Sequence, residues 1–251
     1  MESLLNSFPA RCNVALIGAS GGIGQAMLEL LSADPRVART LAFSRTEIGT
    51  LLPGVEYGHV DFDDESTVAA AASSASRDGA LDIVIVSSGI LWSGDGNRLR
   101  PEKAMKELDA NAIAKVFAVN AIGPALVAKH FLPKLRKGSK SVFAALSARV
   151  GSIGDNRLGG WYSYRASKAA LNMLLKTLSI EHARQWPDSV VVGLHPGTVA
   201  TELSRPYTSR TPEANLFTPD TSARHLLRVV DGLAPQDTGN VFAWDGQRID
   251  Y

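Results

Sequence analysis

With 45% hydrophobic and 20% charged residues over 251 positions, the chain has globular composition and length for one large α/β domain or two small ones. Its net charge of +1 excludes a strong electrostatic pull towards nucleic acid or anionic lipid, and a single cysteine, Cys12, excludes an intrachain disulfide. The first ten residues lack a secretory signal, no uninterrupted run approaches the roughly 18 apolar residues of a membrane helix, and the five scattered histidines show no metal-ligand spacing.

Short apolar runs alternate with helical stretches. Val14–Ile17 predicts a first strand, followed by a glycine-rich turn and a helix over about 23–33. Strands are expected at Thr40–Phe43 and Val55–Val60, then an alanine- and serine-rich helix at Glu65–Ser76. Leu81–Val86 reads LDIVIV, nearly continuous in apolar residues, as in a strand buried on both faces. A long helix over 114–135, a strand at Ser141–Leu146 and a helix with Leu171, Leu175 and Leu178 on one face come next. A strand at Val190–Leu194, a helix at Thr221–Gly232 and a strand at Asn240–Ala243 complete the series. This order predicts one α/β domain over residues 1–251. Its core is a doubly wound parallel sheet of about seven strands with helices on both faces. The polar stretch at about 200–218 has no clear periodicity and reads as a substrate lid.

The first turn runs Gly18, Ala19, Ser20, Gly21, Gly22, Ile23, Gly24, between a strand and a helix. Glycines let a backbone approach a phosphate, and free N–H groups at the helix start face the anion. In that context the turn, with Ser20 and Ile23 between its glycines, predicts a dinucleotide site. The second strand ends at Phe43, Ser44 and Arg45. An acidic residue there would suit the ribose hydroxyl of NAD; Ser44 and Arg45 suit a 2′-phosphate, which favours NADP(H) over NAD(H). Asp61, followed by Phe62, is placed either to meet the adenine or to cap the next helix. Tyr164 and Lys168 stand four apart, hence on one helix face. A fixed ammonium there is expected to lower the phenol from its ordinary value near 10 and make it a proton-transfer group.

GASGGIG at 18–24, Asn120 in FAVNAIGP, YRASK at 164–168 and HPGTVAT at 195–201 stand in register on this alternation. Together they resemble the short-chain dehydrogenase/reductase family, and the stretch from Ala148 to Met173 is most similar to its C-factor and sniffer-type carbonyl reductases. The resemblance implies a Rossmann fold and an NADP(H)-dependent oxidoreductase acting on a small carbonyl or alcohol; the single cysteine fits a reducing compartment, so a cytoplasmic location is expected. In it Tyr164 is general acid/base, Lys168 its electrostatic partner and holder of the nicotinamide ribose, and Asn120 the holder of a relay water. Pro196, Gly197, Thr198 and Val199 would lie against the nicotinamide, with Thr198 or Thr201 on its carboxamide or phosphates. A homodimer or homotetramer is also implied; neither nucleic acid nor membrane is.

Three positions depart from the family pattern. Ile17 replaces a threonine before the first glycine. Ser87 and Ser88 replace two asparagines before Gly89, which keeps the close approach to the cofactor. The substrate-orienting serine normally stands three residues before Gly151, where this chain has Ala148. Ser147, beside it, or Ser152 is the expected substitute. Trp92, Trp161 and Tyr162 read either as an aromatic substrate wall or as packing, and Arg149 as an anion contact or a surface ion pair. The gap at Ala148 also motivates a second reading, a nucleotide-binding regulator with little turnover.

Overall fold

The computed structural model describes residues 3–49, 51–93, 99–209 and 212–251. The elements in chain order are β1 (Cys12–Ile17), α1 (Gly22–Ala33), β2 (Val37–Ser44), β3 (Val55–His59), α2 (Glu65–Ala75) and β4 (Ile83–Val86). They continue with α3 (Ala110–Phe117), α4 (Gly123–Phe131), β5 (Ser141–Leu146), α5 (Tyr162–Ala183) and β6 (Ser189–His195). Last come β7 (Thr198–Val199), β8 (Leu216–Phe217), α6 (Pro219–Gly232), β9 (Val241–Ala243) and β10 (Arg248–Ile249).

Eight strands form one sheet in the order β10-β9-β6-β5-β4-β1-β2-β3, all parallel except β10 against β9. The expected count of about seven omits β10. Its two residues, folded back at a turn where Gly246 has φ 81°, are too short to show periodicity. Alternate side chains of β1, β4, β5 and β6 point to opposite faces, as strand geometry dictates. Leu16, Ile85, Ala144 and Val192 meet α1 and α6, while Ile17, Val84, Phe143 and Val191 meet α2, α4 and α5. Both faces are therefore covered, and the chain has a doubly wound Rossmann-type fold.

Helix starts follow local chemistry. Asp64, Asp109 and Thr218 accept first-turn N–H groups of α2, α3 and α6, as good N-cap residues do. Residues 118–122 between α3 and α4 form a π-helical turn that holds Asn120. Such single turns are frequent at functional sites. Among the described residues one helical stretch, 110–134, is long and apolar enough to cross a membrane by length and composition. Lys115, Asn120 and Lys129 interrupt its apolar run in the sequence. In the domain this stretch packs on β4 and against α2 and α5. The predicted lid also carries structure: Arg205–Tyr207 and Glu213–Asn215 are 3-10 turns, and β8 pairs in parallel with β7. Positions 210 and 211 of that segment lie outside the described residues.

Candidate active site

The strand order switches sides between the parallel neighbours β1 and β4, and a cleft of about 510 Å³ opens at their C-terminal ends. That is where open α/β sheets bind ligands. Gly18, Ser20, Gly22, Ile23, Ser44, Arg45, Asp61, Phe62, Ser88, Gly89, Ser147, Tyr164, Lys168, Pro196 and Thr201 all line it.

The glycine turn is shaped by near contacts that a side chain would break. A Cβ at Gly18, whose φ is 88°, would lie 2.6 Å from Ser88 Oγ, and one at Gly22 would lie 2.9 Å from Thr201 Cγ2. Helix α1 starts at Gly21 with no side chain to cap it, so its first N–H groups face the cleft. A helix start of this kind suits a phosphate. At one end of the cleft the Ser44 hydroxyl donates to the Thr46 carbonyl, and the Thr46 hydroxyl donates to Ser20 Oγ at 3.1 Å. Arg45 is exposed beside these hydroxyls. The cap of α2 is Asp64, which accepts Ser66 N–H at 3.0 Å; Asp61 instead accepts Asp63 N–H at 3.1 Å.

At the other end Lys168 Nζ donates to the Leu146 carbonyl at 2.7 Å and lies 5.8 Å from the centroid of the Tyr164 ring. Burial governs both titrations. It pushes the half-buried Tyr164 up to about 12 and the buried Lys168 down to about 8. The helix spacing alone led to the opposite direction for the phenol. The correction is physical: the ammonium is turned to a backbone carbonyl, and desolvation disfavours each charged form.

Five expected residues stand outside the cleft lining. A Cβ at Gly24 would lie 2.3 Å from the Gly18 carbonyl, so this glycine seats α1 on the turn. Gly197, at φ 79°, faces the Phe217 ring and Trp244. Thr198 and Val199 form β7, so Pro196 and Thr201 are the expected members of that segment that reach the cleft. Asn120 is fully buried behind it: Oδ1 accepts Ile90 N–H at 2.8 Å, and Nδ2 donates to the Ile90 carbonyl at 2.9 Å and Ser167 Oγ at 3.1 Å. Its side chain is thus spent on holding the backbone beside Gly89.

Ala148 sits in extended backbone at the position of the missing serine. The Ser147 hydroxyl donates to Asn172 Oδ1 at 2.6 Å, while Ser152 Oγ accepts Asp155 N–H at 3.2 Å. Trp161 meets Tyr164 edge-on at 6.2 Å and Tyr207 at 5.1 Å, making an aromatic wall; Tyr162 is exposed. Trp92 Nε1 donates to the carbonyls of Glu202 and Leu203 at 3.1 and 3.0 Å, pinning those two cleft-lining residues. Arg149 pairs with Asp155 at 2.9 Å on the surface.

Sequence reasoning missed Thr46, Lys115, Asn172 and Glu102. Asn172 had a signal, since it stands four residues after Lys168 on the same helix face. Glu102 had none, because it meets α5 only through the tertiary fold.

The fold and this cleft define a dinucleotide-binding α/β enzyme. A short chain dehydrogenase family model matches residues 13–212, and the chain belongs to that family. Among curated relatives, C-signal of Myxococcus xanthus is 36% identical over 175 residues, 69% of this chain and 94% of that protein. The 1-hydroxy-2-glutathionyl-2-methyl-3-butene dehydrogenase of Rhodococcus sp. (strain AD45) is 32% identical over 240 residues, 95% of this chain and 99% of that one. The NADPH-bound carbonyl reductase from chicken fatty liver superposes with a TM-score of 0.82 at 25% identity, covering 98% and 97% of the two chains. The protein is therefore a dehydrogenase/reductase that uses a nicotinamide cofactor and a small-molecule substrate.

Proposed function

We propose that the protein is an NADP(H)-dependent oxidoreductase of carbonyl or alcohol substrates, with Tyr164 as its general acid/base. The observation that carries this reading is one continuous cleft with Arg45 and three hydroxyls at one end and Tyr164 and Lys168 at the other. The chicken and Rhodococcus relatives, named as an NADPH-bound carbonyl reductase and a dehydrogenase, support it.

The glycine turn, the first N–H groups of α1 and Thr201 would hold the pyrophosphate; Ser20, Ser44, Arg45 and Thr46 would hold the 2′-phosphate. When bound, the nicotinamide supplies or accepts the hydride. Tyr164 gives its proton to the substrate oxygen on reduction and takes one back on oxidation. A phenol that burial keeps protonated is a competent donor. Lys168, near 8, exchanges protons close to neutrality and would reprotonate the phenol once Nζ turns from the Leu146 carbonyl. Ser147, committed to Asn172, must rotate to reach a substrate oxygen, so Tyr164 carries most of the orientation.

The test is NADPH oxidation with a panel of aldehydes, ketones and quinones that includes para-nitrobenzaldehyde. Tyr164→Phe is expected to lower kcat by about 10²–10⁴-fold and to leave NADPH binding intact. Ala148 and the engaged Ser147 favour a second reading, a nucleotide-binding regulator with little turnover. NADPH binding by the wild-type chain with no reduction of any panel member would establish that reading and remove the first.

A further inference from the structure

Helix α5, which carries Tyr164 in its first turn, starts without a capping side chain. The residue before it is Trp161, whose indole has no acceptor to offer. Its backbone is left-handed at φ 52°, and Gly159 and Gly160 before it have φ 63° and 64°. Glycine adopts this conformation freely, but in tryptophan the Cβ crowds the following carbonyl. Something outside the helix must fix this run of three left-handed residues.

That group is Glu102, from the loop before α3, which is buried at 4% exposure. Its carboxylate accepts Ser163 N–H at 3.1 Å through Oε2 and the Ser163 hydroxyl through Oε1. Its own backbone carbonyl accepts Trp161 N–H at 2.5 Å. One residue thus grips the chain on either side of Tyr162 and does the work of an N-cap from elsewhere in the sequence. A carboxylate at a helix N-terminus is favoured by the free N–H groups and the macrodipole. Tyr164 follows Ser163 directly, and the Trp161 ring stands against both Tyr164 and Tyr207.

We propose that Glu102 is the positioning residue for Tyr164, clamping the first turn of α5 so that the phenol and its aromatic wall hold one place. The proposal rests on the proton-transfer role given to Tyr164 above. Small displacements of a reacting group reduce rate sharply while leaving remote binding contacts intact.

The test is Glu102→Ala, which removes both acceptors of Ser163 and leaves the residue-102 carbonyl on Trp161. Glu102→Gln is the conservative rescue, because its amide oxygen accepts Ser163 N–H while its NH₂ donates to the Ser163 hydroxyl. With NADPH and para-nitrobenzaldehyde, Glu102→Ala is expected to lower kcat roughly 10–100-fold, and Glu102→Gln to recover most of it. The KM for NADPH should change less than about threefold, because the groups that hold its phosphates lie on other elements. Hydrogen exchange of residues 159–168 should be about tenfold faster in Glu102→Ala and unchanged in Tyr164→Phe. Wild-type kcat in Glu102→Ala, an equal loss in kcat and NADPH affinity, no recovery in Glu102→Gln, or unchanged exchange at 159–168 overturns the proposal. Should the wild-type chain reduce no carbonyl, the role of Tyr164 fails, and the exchange experiment still decides whether Glu102 clamps the turn.

Discussion

At the scale of single residues, the proposed preference for NADP(H) rests on charge and hydroxyl placement. Arg45 is exposed at the tip of β2, with Ser20, Ser44 and Thr46 lining the cleft beside it. A guanidinium among hydroxyls suits a phosphate dianion, whereas a ribose hydroxyl calls for an acceptor. Arg45→Asp is therefore expected to weaken NADPH binding by about 10–100-fold, the worth of a charged hydrogen bond, and to leave NADH unchanged or improved. Titration of both nucleotides by fluorescence checks this, and an equal loss for the two removes Arg45 from the phosphate site. That Arg45 directly follows β2 and that Tyr164 and Lys168 share one helix face was legible because adjacency and helix periodicity are local properties. The direction of the phenol's shift was not, since it depends on how deeply the two groups are buried and where Lys168 Nζ points.

At the scale of elements, the π-helical turn at 118–122 joins the α3–α4 stretch to the tip of β4. Asn120 meets both the N–H and the C=O of Ile90, so it takes the place of a missing strand partner just beyond Gly89. Asn120→Ala leaves the Ile90 N–H and C=O unpaired in a partly buried site, while Ser167 Oγ keeps its bond to the Tyr164 carbonyl. The variant is expected to lose about 2–4 kcal/mol and roughly 5–15 °C in Tm, and to bind NADPH less well as Gly89 loosens. Calorimetry together with a nucleotide titration tests this; an unchanged Tm would show that another group holds the β4 tip. Most strands and helices were readable within a few residues, because apolar periodicity and capping residues such as Asp64 and Thr218 are local. The π turn, the two-residue strands β7, β8 and β10 and the Glu102 clamp were not, because each exists only through partners far away in the chain.

Over the whole molecule, two neutral histidines tie stability to pH. Burial pushes His182 down to about 4, where its ring stacks on Trp186. His195, at the end of β6, is also held at about 4, by burial and by nearby Arg149. Above pH 6.5 both rings are neutral folded or unfolded, so no difference arises. Between 6.5 and 4 the unfolded chain takes up protons that the folded one refuses, so stability falls as pH falls, and below 4 the loss is complete. Each ring contributes up to about 3 kcal/mol, the half-buried His195 less because of solvent screening. Lys168, shifted down to about 8, stays charged throughout this window and adds no slope. Urea midpoints are expected to drop from pH 6.5 to 4.5, and His182→Gln to flatten the drop; a flat wild-type profile would falsify this account.

The sequence by itself determined the strand–helix alternation, the single sheet covered on both faces, and the glycine turn, Arg45, Tyr164 and Lys168 as members of one site. These follow from periodicity and short-range stereochemistry, which a chain carries wherever it lies. Only the tertiary structure decided which of those groups touch. It assigned Asn120 to Ile90, Ser147 to Asn172, Leu203 to Trp92, and Glu102 to the start of the helix bearing Tyr164. Hydrogen bonds between segments tens of residues apart, and the desolvation that sets the titration of Tyr164 and Lys168, arise only when the chain closes on itself.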